Sequence, residues 1–124
     1  MTLVLIGFLV VILGACSTSG KFEGIDEDMQ TLGREAVRIA DEYLDNRIDA
    51  DTATNQIEEL DYVHLASTTE GLENEILTYI FLLEARLSII SVNEFLNDQI
   101  DPEDLEQLLE RRNMLAEGLG MDSR

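Results

Sequence analysis

Acidic side chains crowd two stretches of the sequence that have the composition of turns, and carboxylates are ligands that calcium prefers. The first stretch runs from Asp45 to Asp51, and the second begins at Asn97. An EF-hand loop starting at Asp45 would put Arg47 at its third ligand position and Ala50 at its glycine position, so the required pattern is missing. The second stretch departs from the pattern in the same way. We therefore interpret these acids as helix caps and solvated turns, and we predict no metal site.

His64 is the only histidine and is the natural candidate for acid–base or zinc chemistry. No second imidazole is present, so a zinc site would have to rely on carboxylates, which is rare. A Ser-His-Asp relay could draw on the abundant serines and aspartates, but no nucleophile turn accompanies them, and no glycine-rich phosphate loop occurs. We expect His64 to pack on the apolar face of a helix. The sequence therefore predicts a protein that is not an enzyme and holds no cofactor.

The only cysteine, Cys16, follows an apolar run from Leu3 to Leu13 that is interrupted by one glycine. Eleven residues are too few to span a membrane, which takes about 20, but they match the hydrophobic region of a signal peptide. The run ends in Leu-Gly-Ala-Cys, which resembles the lipobox of bacterial lipoproteins. The alternative is a short buried helix in which Cys16 is an ordinary apolar residue.

The lipobox resemblance covers residues 1–16 and implies a membrane anchor. In that family the cysteine thiol receives a diacylglyceryl group and the chain is cut just before it, which would make Cys16 the first mature residue. Leu13, Gly14 and Ala15 would be the positions that the signal peptidase recognises. If the host is Gram-negative, Ser17 resembles the residue that follows the cysteine in lipoproteins sorted to the outer membrane. The domain would then face the periplasm.

The formal net charge of −18 limits the classes of partner. Such a surface repels the phosphates of nucleic acids and the headgroups of anionic lipids, so we expect no nucleic-acid binding. Cationic partners are favoured by the same argument.

Composition and periodicity divide the chain into a leader at 1–15, a flexible tether at 16–27, a helical domain at 28–120 and a short tail at 121–124. Apolar residues at spacings of three and four predict four helices in the domain. We expect these helices to begin near Met29, Ala50, Leu72 and Pro102 and to end near Leu44, Ala66, Leu96 and Gly118 or Gly120. No stretch alternates with a period of two, so the predicted fold class is all-α.

An internal repeat with an offset of 52 residues links the two halves of the domain. Tyr43 corresponds to Phe95, and the pair Ile48-Asp49 recurs as Ile100-Asp101. In each half a helix ends on an aromatic residue and a leucine, a turn follows, and an aspartate caps the next helix. The repeat predicts two helical hairpins packed as a small four-helix bundle.

Two charged residues lie in apolar surroundings. Glu84 sits within the third helix, and we expect it to face outward between two apolar stripes. Arg112 shares a face with leucines of the fourth helix, and we expect its stem to pack while its guanidinium reaches solvent. A direct pair between Glu84 and Arg112 is left open by the sequence.

The third helix is apolar on most of its circumference, which is typical of a helix that is central in the core or carries a partner surface. One apolar stripe of this helix consists of Leu72, Ile76, Ile80, Leu83, Leu87 and Ile90, and the second consists of Leu77, Phe81, Ile89, Val92 and Leu96. We nominate the apolar surplus of this helix as an interaction surface, and in particular Phe81, Leu82, Ile89 and Val92. The predicted function is that of a lipid-anchored extracytoplasmic interaction module of the bacterial envelope, with an envelope protein or a second copy as its partner. The alternative is an acidic inhibitor or decoy that binds a cationic protein or peptide.

Overall fold

The computed structural model describes residues 20–22, 24–63, 65, 70–97 and 99–124. These residues contain helices and no strand, which confirms the all-α class. The four helices of the described part are α1 (Glu27–Leu44), α2 (Ala50–Glu58), α3 (Leu72–Asn97) and α4 (Pro102–Gly118).

The helices pack as a small bundle with α1 and α3 at its centre. Each of these two helices contacts the three others, whereas α2 and α4 do not contact each other within the described residues. Exchanging α1 with α3 and α2 with α4 leaves this set of contacts unchanged, as an approximate two-fold relation between hairpins requires. One stripe of α3 is fully buried and forms the middle of the core: Ile76, Ile80, Leu83, Leu87 and Ile90.

Both hairpin turns use the capping residues that the sequence predicts. The Asp49 carboxylate accepts a hydrogen bond from the backbone N–H of Thr52 at 2.7 Å, and the Asp101 carboxylate accepts one from Glu103 at 3.0 Å. Each bond satisfies one of the backbone donors that the first turn of a helix leaves free. Asn46 takes φ 60°, the left-handed conformation expected after the end of α1.

The predicted end of α2 near Ala66 is wrong, because the helix ends at Glu58. Beyond it, Asp61 takes φ 53° and the Tyr62 ring enters the core. At 3.6 residues per turn, a longer helix would have pointed Tyr62 well away from the buried face that carries Ala50 and Ile57. Burial of a large aromatic side chain therefore accounts for the early end.

The predicted flexible tether is also corrected, because the chain is docked on the bundle from Gly20 to Phe22. The Phe22 side chain is fully buried, and its backbone N–H donates to the Gly118 carbonyl at 2.8 Å. Its ring packs edge-to-face on Tyr79, with the ring centroids 6.2 Å apart. A Cβ on Gly118 would lie 2.4 Å from the Phe22 ring, so a glycine is needed there. The domain includes Gly20 rather than beginning at residue 28.

The tail at 121–124 is fixed to the bundle as well. Arg124 forms ion pairs with Asp41 at 3.1 Å and with Asp45 at 2.7 Å, and the Asp122 carbonyl accepts a hydrogen bond from Arg112. The carboxyl end of α1 is thereby joined to the last residues of the chain.

Candidate docking surface

Along α3 from Leu72 to Leu96 the fully exposed positions are uncharged, and the charged residues are only partly exposed. Five large apolar side chains at these exposed positions, from Phe81 onward, form what we call the α3 strip, which consists of Phe81, Ile89, Val92, Phe95 and Leu96. Their spacing places them on one side of the helix, opposite the buried stripe. The exposed positions of the other three helices are mostly charged. The strip is therefore the uncharged side of a strongly acidic molecule.

Three of the four nominated surface residues lie in the strip, and the side chain of Phe81 is 55% exposed. Leu82 is half-buried at its edge. Leu77, which shares the second sequence stripe, belongs to the core instead.

Sequence reasoning did not nominate Phe95 and Leu96, although Leu96 continues the stripe. Phe95 is 89% exposed, whereas its repeat partner Tyr43 is buried and its hydroxyl donates to Glu94 at 3.4 Å. The repeat predicts equal roles for the two aromatic residues, and the structure gives them different ones. The helical spacing of Phe95 and Leu96 could have assigned them to the exposed side of α3. Whether Tyr43 or Phe95 is buried depends instead on which neighbour covers each hairpin end.

An open groove of about 700 Å³ lies at the carboxyl end of the strip, between α3 and the start of α2. Its apolar wall is made by Val92, Phe95 and Leu96, and its acidic wall carries Asp49, Asp51 and Glu94. Within the described residues none of these three carboxylates forms an ion pair. The hydrogen bond from Thr52 holds the pKa of Asp49 below its usual range, so this carboxylate stays charged at neutral pH.

A second, smaller groove of about 190 Å³ lies at the amino end of the strip. It is lined by Tyr62, Val63, Leu77, Thr78 and Phe81 and is almost entirely apolar. The Tyr62 hydroxyl donates to the Glu84 carboxylate. Burial is the larger cause, and this hydrogen bond the second cause, that raises the pKa of Tyr62 far above its usual value. The phenol therefore stays protonated and remains a hydrogen-bond donor. Glu84 is thus half-buried and bound, not turned outward as predicted.

Arg112 does not reach solvent as predicted, because its side chain is buried. The guanidinium donates hydrogen bonds to both carboxylate oxygens of Asp41, at 2.8 and 3.1 Å. This bidentate geometry is the strongest that an arginine–carboxylate pair adopts. Glu84 bonds elsewhere, so the Glu84–Arg112 pair left open by the sequence is not formed.

Several predicted residues lie outside the described part of the chain: Leu13, Gly14, Ala15, Cys16 and His64. The described residues contain no group of three or more acids, histidines or cysteines placed to hold a metal ion. In the Asp45–Asp51 turn, Asp45 is paired with Arg124 and Asp49 caps α2. Among the described helices, none combines the length and hydropathy needed to cross a membrane.

The described residues thus form a small helical bundle with an exposed apolar face on α3. In comparisons with known proteins, no family model, no curated protein and no solved structure matches the chain.

Proposed function

We propose that this chain is a lipid-anchored, extracytoplasmic protein-interaction module of the bacterial envelope, acting by binding rather than by catalysis. The anchor is the lipid on Cys16, as the lipobox resemblance implies, and the docking surface is the α3 strip. A Gram-negative host would place the domain at the outer membrane, facing the periplasm.

The observation that carries the proposal is the contrast between the α3 strip and the rest of the surface. Leaving two phenylalanines and three aliphatic side chains in water forgoes the free energy of burying them, about 1.5–3 kcal/mol for each side chain that could be fully covered. Contiguous exposed apolar patches mark interaction sites on soluble domains. Since 26 acids are available in this chain, their exclusion from the exposed side of α3 favours a surface that a partner covers.

A lipid anchor makes a modest docking surface effective. It confines the domain to a layer near the bilayer and raises its effective concentration toward other envelope proteins. The net charge of −18 keeps the bundle from lying on anionic headgroups, which leaves the strip free for a protein.

The experiment that tests the proposal is chemical crosslinking in living cells, followed by purification of the full chain from membranes. We expect one specific envelope protein to be crosslinked to the wild-type chain and to be lost or strongly reduced with Cys16→Ser. Phe81→Ser should reduce the same crosslink while the chain stays in the membrane. Met114→Ser, which changes an exposed apolar residue away from the strip, should leave the crosslink intact.

Fractionation separates the two parts of the proposal. If the chain is found in the soluble fraction with or without Cys16, the lipid anchor is refuted. If the chain is anchored but its crosslinks are unaffected by Phe81→Ser, the α3 strip is not its docking surface.

A further inference from the structure

We infer that the occupant of the α3 strip is a cationic amphipathic helix, whose apolar side covers the strip and whose lysines or arginines face the carboxylates along α2. This inference rests on the proposed function, because it identifies the partner of the same surface.

The shape of the strip fits a helix. Phe81 and Phe95 are 14 residues apart on α3, which corresponds to about 21 Å along the helix axis, or four turns. Each phenylalanine borders one of the two grooves. A partner helix lying beside α3 could place one large apolar side chain in each groove and smaller ones between them. This is how amphipathic helices bind in grooves, with anchors at helical spacing.

Between the two phenylalanines the exposed surface of α3 carries side chains of mixed size. Ser88 is exposed and Ala85 is half-buried, whereas Ile89 and Val92 are large and exposed. Side-chain size at the contact sets the distance between two packed helices, so the position of Ala85 and Ser88 is suited to close contact. Ile89 and Val92 add apolar area toward the anchor at Phe95.

Charge selects among the helices that could bind. The carboxylates of Asp49, Asp51 and Glu94 border the carboxyl-end groove without an ion-pair partner among the described residues. At the other end, Glu58 is close enough to influence the Tyr62 hydroxyl electrostatically, and Tyr62 lines the second groove. Asp51 and Glu58 are both exposed and lie seven residues apart on α2, so they share one face of that helix. An acidic border thus follows the α2 side of the strip.

A neutral apolar helix would cover these carboxylates without pairing them, and taking charges out of water unpaired is costly. A second copy of this chain would bring the same carboxylates and a further net charge of −18, because an isologous interface uses the same patch on both subunits. Basic side chains flanking an apolar stripe would pair the carboxylates and gain from the reduced dielectric.

The test uses synthetic peptides and the full chain held in phosphatidylcholine nanodiscs, with empty nanodiscs to subtract binding to lipid. The probe is an amidated peptide of about 18 residues, about 27 Å long as a helix, with leucines at spacings of three and four and lysines elsewhere. Its twin carries glutamine in place of each lysine. Fluorescence anisotropy of the labelled peptides gives the dissociation constants.

We expect the lysine peptide to bind at least tenfold more tightly than the glutamine peptide, and its affinity to fall at least fivefold between about 0.05 and 0.5 M NaCl as screening increases. Phe95→Ser should weaken its binding about tenfold, because it removes an anchor. Asp51→Asn should weaken binding by a factor of about three. The matched control is Asp28→Asn, which removes an exposed aspartate from the same second position of α1 and should change nothing.

Three results would overturn the inference. Equal binding of the two peptides, with the same loss in Phe95→Ser, would show a docking surface without charge selection, and the proposed function would survive. Self-association that Phe95→Ser abolishes would identify a second copy as the occupant, again leaving the docking surface in place. Binding of the lysine peptide that neither Phe95→Ser nor Phe81→Ser affects would show attraction to the acidic surface at large, and it would count against the proposed function too.

Discussion

Arg112 connects three parts of the chain that are distant in sequence. From α4 it binds the Asp41 carboxylate of α1 with two hydrogen bonds and donates to the carbonyl of Asp122 in the tail. A buried guanidinium is tolerated only because its donors are paired, and a carboxylate beside it is tolerated for the same reason. The contribution of Arg112 to the stability of the fold therefore depends on all of these hydrogen bonds together and not on one contact.

Arg112→Met should reduce the free energy of unfolding by about 3 kcal/mol, near the lower end of the range for breaking a buried ion pair. The lower end is expected because Arg124 also pairs with Asp41 and remains in the variant. Urea unfolding followed by circular dichroism measures the change. Arg38→Met is the matched control, since Arg38 forms exposed pairs with Glu35 and Glu42 and should cost less than about 1 kcal/mol. Equal losses in the two variants would contradict the structural role of Arg112.

Among the elements, the segment from Gly20 to Phe22 contributes more than its length suggests. It has no periodicity, so its composition predicts a spacer, yet Phe22 fills a site between α3 and α4 beside Tyr79 and Gly118. Lys21 lies over both aromatic rings, 5.2 Å from the centroid of Phe22 and 5.4 Å from that of Tyr79, and pairs with Glu75. The segment acts as a plug that closes one end of the bundle.

Phe22→Ala should lower the free energy of unfolding by about 3–5 kcal/mol, the usual cost of emptying a buried phenylalanine site. Phe95→Ala makes the same chemical change on the exposed α3 strip and should alter stability by no more than about 0.5 kcal/mol. Thermal and urea unfolding of the two variants can be compared directly. A Phe22→Ala variant as stable as the wild-type chain would show that this segment belongs to a flexible tether. A large loss of stability in Phe95→Ala would show that the strip is part of the core.

At the scale of the whole molecule, charge and apolar surface are sharply separated. The 26 acids outnumber the eight basic residues, so the folded state repels itself electrostatically, and the exposed positions of α3 carry none of these charged side chains. The same separation limits which partners can approach. A helix with an apolar face and basic flanks would cover the strip and pair the carboxylates of α2 at the same time.

Added salt should stabilise the folded chain, because screening relieves repulsion among the excess acids more than it weakens the exposed ion pairs. An increase of about 1 kcal/mol in the free energy of unfolding corresponds to a rise in Tm of about 4–8 °C for a domain of this size. Thermal unfolding in about 0.01 M and 0.5 M NaCl measures it. A fall in Tm with salt would show that ion pairs outweigh the net charge, and a larger rise with magnesium chloride at equal ionic strength would indicate specific cation binding.

The all-α class, the cap residues Asp49 and Asp101, and most of the apolar strip on α3 can be predicted from the amino-acid sequence alone. These features depend on local propensities and on the period of a helix, both of which are contained in short stretches of sequence.

Which apolar side chains are covered is set by the tertiary structure. It buried Phe22 from a segment without periodicity, ended α2 early to bring Tyr62 into the core, and left Phe95 exposed while covering its repeat partner Tyr43. It also paired Arg112 with Asp41, 71 residues away along the chain. Burial and long-range pairing depend on which neighbour arrives at a given place, and that is set by the packing of whole helices rather than by the residue type.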